Sequence, residues 1–152
     1  MSEQPAQQFN VIKTFLKDAS LESPNAPAIF RAQGQPEINL NMEHQTTPVE
    51  DNIYETVVQL TVTAKLQEQT VYLVEVQQAG LFNISGFPEE HQVLIQNITC
   101  PQALYPFAAE AVHSLVIKAG FPPLLLNPID FEALYRHRQQ QQAQQAEPAA
   151  SA

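Results

Sequence analysis

Residues 54–66 read YETVVQLTVTAKL, and their alternation decides the fold class. Even positions carry Tyr54, Val58, Leu60, Val62, Ala64 and Leu66, while odd positions carry Glu55, Gln59, Thr61, Thr63 and Lys65, with Val57 the exception. Successive side chains of an extended chain point to opposite faces. The spacing therefore predicts a long antiparallel strand with one face on a core and the other toward water. Gln67-Glu68-Gln69 reads as a tight turn, unusual in lacking glycine. Residues 70–85 then repeat the pattern, with Tyr72, Val74, Val76, Phe82 and Ile84 on one face and Val71, Leu73, Glu75 and Gln77 on the other. Val71 and Leu73 are thus expected as apolar residues on the outer face.

Upstream, Ile38, Leu40 and Met42 alternate with Glu37, Asn39, Asn41 and Glu43, another half-buried strand. Residues 44–52, HQTTPVEDN, read as a loop. A first strand is predicted over 9–22, with Phe9, Val11 and Phe15 on one parity and Ile12 and Leu16 on the other. Ser23-Pro24-Asn25-Ala26-Pro27 breaks it, because proline fixes φ and lacks a donor. Residues 1–8 are polar and expected to be a flexible N-terminus.

After Pro88 the period changes. Thr99-Cys100-Pro101 reads as a helix start, and Leu104, Phe107, Ala108, Ala111, Val112, Leu115, Val116 and Ala119 follow at helical spacing until Gly120 and Pro122. Pro106 predicts a kink or a late start. Covering one sheet needs a single apolar stripe, whereas this helix is apolar or small around most of its circumference. A second subunit is implied, with Leu104, Phe107, Ala111, Leu115 and Val116 as the expected oligomer interface. Residues 121–126, FPPLLL, form an extended link to a last helix opened by Asn127-Pro128, whose apolar face is Phe131, Leu134 and Tyr135. Residues 139–152, QQQQAQQAEPAASA, read as a disordered tail. Strands followed by helices make the fold α+β.

The 152 residues suit one domain. Seven Lys and Arg against 16 Asp and Glu leave a formal charge of −9, which argues against nucleic acid, since phosphate binding needs clustered cations. Cys100 is the only cysteine, so no internal disulfide or multi-cysteine metal site exists. No apolar run approaches ~18 residues and no export signal opens the chain, so a cytoplasmic protein without direct membrane insertion is expected. With four glycines there is no phosphate loop, and His44, His91, His113 and His137 show no metal-binding spacing. No catalytic constellation stands out; neither an enzyme nor a cofactor is expected.

Several blocks together resemble the SecB family of protein-export chaperones. They are SLESPNAPAIF at 20–30, YETVVQLTVTAKL at 54–66, YLVEVQQAGLFNI at 72–84, CPQALYPFA at 100–108 and FPPLLLNPIDFEALY at 121–135. The blocks span residues 9–138, with one departure: Ala109 stands where the family often has arginine before a glutamate, here Glu110. The resemblance implies a four-stranded antiparallel sheet packed with helices and a homotetramer built as a dimer of dimers. It implies a chaperone that holds unfolded secretory preproteins and passes them to the SecA translocation ATPase. At the matching places, Asp18, Glu22, Leu73 and Glu75 would form the docking face for SecA, carboxylates steering a basic segment and the leucine supplying a dry anchor. Ile38, Leu40 and Met42, with Leu124, Leu125 and Leu126 and with Phe131, Leu134 and Tyr135, would line a client groove. Two other readings remain at this level: a carrier of small apolar ligands in the same groove, or a SecB-like chaperone dedicated to one partner such as an antitoxin.

Overall fold

The structure, a computed structural model, describes residues 6–146. Four strands come first: β1 (Gln8–Glu22), β2 (Glu37–Glu50), β3 (Ile53–Leu66) and β4 (Gln69–Ser85). A helical run follows as α1 (Glu89–Leu94), a π turn (Ile95–Thr99) and α2 (Cys100–Lys118), and α3 (Phe131–Ala146) is the last element among the described residues. The strands form one antiparallel sheet in the order β1-β4-β3-β2. The expected α+β architecture of four antiparallel strands and helices is present.

Burial follows the alternation. Val58, Leu60, Val62 and Ala64 of β3 and Val74, Val76 and Phe82 of β4 are fully buried, facing α2. Each of these valine, leucine and phenylalanine side chains contributes about 1.5–3 kcal/mol by leaving water. The helix answers with Cys100, Leu104, Ala108, Val112 and Val116, spaced by four and all fully buried. Gly80 sets their distance from the sheet, because a Cβ there would stand 2.8 Å from Leu104 Cδ2.

The turn after β3 has Gln67 at φ 50° and Glu68 at φ 69°, the paired left-handed residues of a tight hairpin without glycine. Just beyond it, Ala64 pairs with Tyr72 and Lys65 with Thr70, leaving Val71 as an extra residue. That bulge corrects the expectation for Val71: it is buried in the core, while Leu73 keeps the outer face. Of residues 44–52, expected as a loop, only Asp51-Asn52 form a turn, since β2 continues to Glu50, with His44, Thr46 and Pro48 opposite Val58, Thr56 and Tyr54. Proline is tolerated there because β2 is an edge strand.

Strand β1 carries two bulges, at Ile12 and Lys17. The first turns Phe15 to the face opposite Phe9, which stacks on Phe82 at 5.7 Å. The second restores the original parity. The long helical run begins at Glu89 rather than near Thr99, and the π turn ends at Thr99, two residues before Pro101, whose missing N–H leaves no regular bond to make. Helix α3 starts at Phe131 rather than at the expected Asn127-Pro128, capped by Asp130, whose Oδ1 accepts from the Ala133 amide at 3.0 Å. It also runs through residues 139–146, part of the expected disordered tail. Those side chains are all exposed, and Gln and Ala hold the helix by intrinsic propensity. Residues 1–5 and 147–152 of the expected flexible ends lie outside the described residues.

Candidate functional site

The two faces of the sheet differ in chemistry. On the face away from α2, Asp18 pairs with Gln77, Ser20 with Glu75 and Glu22 with Leu73 across the β1–β4 ladder. Asp18, Glu22 and Glu75 are exposed and Leu73 is half-buried, so the four candidates share one surface two strands wide. Cross-strand neighbours on one face lie about 5 Å apart at Cβ. Leu73 therefore sits beside the Glu22 carboxylate, an apolar side chain within an acidic rim.

On the α2 side, Ile38, Leu40 and Met42 lie opposite Ala64, Val62 and Leu60, extending the core outward onto the edge strand. Leu40 and Met42 are half-buried against the core, and Ile38 is exposed. Residues 121–130 run back along α2, held where the Tyr105 hydroxyl donates to the Asn127 carbonyl at 2.6 Å and where His113 Nδ1 lies 3.2 Å from the Leu124 carbonyl. Leu124, Leu126 and Leu134 join the same core as Leu40 and Met42, Tyr135 is half-buried, and Leu125 is 82% exposed. Phe131 departs from its expected groove role. It is buried between His44 and Tyr105, with ring centroids 6.3 and 5.9 Å away, and anchors α3 instead of offering a surface.

Among the expected interface residues, Leu104 and Val116 are likewise corrected. Both are fully buried against their own sheet and have no surface for another subunit. Phe107 is 50% exposed, and Ala111 and Leu115 are half-buried. Ile117, near the end of the same helix, is also exposed. Edge strand β1 adds Val11, Ile12 and Leu16, each about half exposed. Periodicity marks α2 as over-apolar, but only packing separates its inward stripe from its outward one.

Cys100 is buried, and burial pushes its thiol up to about 12, against the smaller opposing effect of the Thr56 hydroxyl. Among the described residues no three His, Cys, Asp or Glu side chains gather as a metal site, and no helix is long and apolar enough to cross a membrane.

The family model for "Preprotein translocase subunit SecB" matches residues 2–142. The chain belongs to the SecB family. It is 49% identical over 149 residues to the protein-export protein SecB of Chromobacterium violaceum, covering 97% of both chains. The corresponding SecB of Methylococcus capsulatus is 45% identical over 148 residues, covering 97% of this chain and 96% of the relative. The fold also resembles a SecB-like chaperone of Mycobacterium tuberculosis, solved in complex with a peptide from the HigA1 antitoxin. That match has a TM-score of 0.65 at 20% identity, covering 80% of this chain and 90% of the other. The protein is a protein-export chaperone of the SecB family.

Ala109 packs against the core, while its neighbour Glu110 accepts from the Ser114 hydroxyl at 2.5 Å. Sequence reasoning missed the Lys17–Glu55 ion pair at 3.1 Å and the contact of His44 with Arg138 at 3.2 Å. Both join residues that no local pattern connects. Lys17 and Glu55 come together across β4, and His44 and Arg138 are 94 positions apart.

Proposed function

We propose that this SecB-family chain captures unfolded secretory preproteins along Ile38, Leu40, Met42, Leu124, Leu126, Leu134 and Tyr135 and hands them to the SecA ATPase at Asp18, Glu22, Leu73 and Glu75. The observation that carries this reading is the opposition of the two sheet faces. The apolar strip lies on the α2 side and the exposed acids on the other, so client and motor occupy separate surfaces of one chain. Leucine and methionine side chains suit varied apolar segments, and a charge of −9 attracts clients with basic stretches. The exposed Phe107 and Ile117 and the half-buried Ala111 and Leu115 of α2, with the exposed apolar residues of β1, support assembly as a homotetramer, a dimer of dimers. The compartment that fits a protein-export chaperone is the cytoplasm. SecA-type motors carry a short basic zinc-binding segment, which fits the acidic face and places that zinc on the partner.

The test is refolding of a slow-folding precursor. Sub-stoichiometric tetramer arrests it, and rapid unarrested refolding at a tetramer excess removes the chaperone reading. Extraction of the purified protein separates the carrier alternative, which requires one stoichiometric apolar molecule to be released.

A further inference from the structure

His44 stands where strand, helix and core meet. It projects from β2 on the α2 side, opposite Val58 of β3. The Phe131 ring lies edge-on to it at 71°, and Arg138 Nη1 lies 3.2 Å from its Nε2. Phe131 and Arg138 are seven residues apart, two turns along one face of α3, so a single histidine touches both. Among the described residues this is the one side-chain hydrogen bond between α3 and the sheet. A guanidinium can only donate, so the bond requires an unprotonated Nε2 as acceptor.

We propose that His44 and Arg138 form a proton-sensitive clasp, which ties α3 to the edge strand while the imidazole is neutral and releases it when the ring takes a proton. Protonation replaces an acceptor with a cation facing a guanidinium, which turns an attraction into a repulsion. Among the described residues no carboxylate acts on the ring to offset this. On β2, Glu43 and Gln45 project to the opposite face, and on β3 the facing residue is Val58. On α3, Arg136 is paired with Glu132, and His137 meets Gln141 on the exposed side. Nearby Thr46 bonds only to Thr56 and the Gln96 carbonyl, and Cys100 carries no charge at neutral pH. Burial first, and then Arg138, hold the His44 imidazole below its ordinary value.

The sign follows from linkage. A released ring protonates near 6.5, and the clasped ring only at lower pH. Docking is therefore complete above about pH 6.5 and weakens as pH falls, by at most about tenfold at pH 5.5. Release loosens the helix that carries Leu134 and Tyr135. That consequence rests on the client groove proposed above, whereas the clasp itself does not.

Hydrogen exchange of the α3 amides, corrected for the intrinsic effect of pH, tests the clasp on the full-length protein at pH 7.5 and 5.5. Protection of α3 should fall by up to about tenfold at the lower pH while that of β3 holds. His44→Phe keeps the ring contact without a titrating group and should show no such fall. His44→Gln provides the same test with an acceptor retained. Equal α3 protection at both pH values in the unmodified protein, or the same fall in both variants, overturns the proposal. Client affinity on the same samples separates the two readings: α3 protection that falls while client affinity stays constant supports the clasp and removes these residues from the client groove.

Discussion

Lys17 reaches across strand β4 to Glu55, its ammonium 3.1 Å from both carboxylate oxygens. Lys17 is the extra residue of the second β1 bulge, so it and its neighbour Asp18 both project from the outer face, which an unbroken strand forbids. The pair neutralises one acid of that face and leaves Asp18, Glu22 and Glu75 without an ion-pair partner among the described residues. Those three carboxylates and Leu73 make the surface proposed to dock the motor.

Changing Asp18, Glu22 and Glu75 together to Lys should abolish SecA binding while leaving the assembly and client capture intact. Each exposed charge contributes only about 0–1 kcal/mol, but together they steer association, so binding to the unmodified protein should weaken as salt rises. Leu73→Ser should weaken docking without changing its salt dependence. Titration calorimetry at two ionic strengths reads both effects, and tight binding of the triple-Lys variant at low salt removes the docking face.

Phe107→Asp combined with Ile117→Asp should break the assembly and keep the fold, because both side chains are already exposed within one chain. Val116→Asp should instead unfold it, leaving an unpaired charge in the core at a cost on the order of 3–5 kcal/mol. Native mass spectrometry should give four times 16.9 kDa before substitution and smaller species for the Phe107–Ile117 variant. A monodisperse monomer of the unmodified protein would end the assembly reading.

Replacing Leu40, Met42 and Leu134 with Ser should weaken arrest of precursor refolding at least tenfold. All three are only half-buried, so circular dichroism should show a folded chain. Unchanged arrest by a folded triple variant places client capture elsewhere, and loss of fold assigns the three residues to the core.

Cys100 should be inert toward thiol reagents in the native protein. With the thiol pushed up to about 12 by burial, only about one molecule in ten thousand carries a thiolate at pH 8, against roughly a quarter for a free cysteine. Labelling should be at least about a thousandfold slower than in denaturant, and comparable rates in the two states would contradict the burial.

Local chemistry decided much about this protein. Alternation over 54–66 and 70–85 sorts side chains between two faces because an extended chain has a period of two, and that rule needs no neighbours. It located the half-buried edge strand through Ile38, Leu40 and Met42, and the PNAP, YPFA and FPPL blocks were specific enough to carry the family. Asp18 and Glu22 lie on the parity opposite Phe9, as in an unbroken strand, because β1 has two bulges and the second undoes the first. Phe15, between them, was misplaced. Tertiary structure alone decided which side of α2 is spent on the sheet, because Leu104 and Phe107 are equally apolar and differ only in what lies opposite them. It also decided the fates of Val71, Phe131 and His44. Their surroundings come from bulges and distant elements, and burial depends on the whole packed arrangement rather than on any residue's neighbours along the chain.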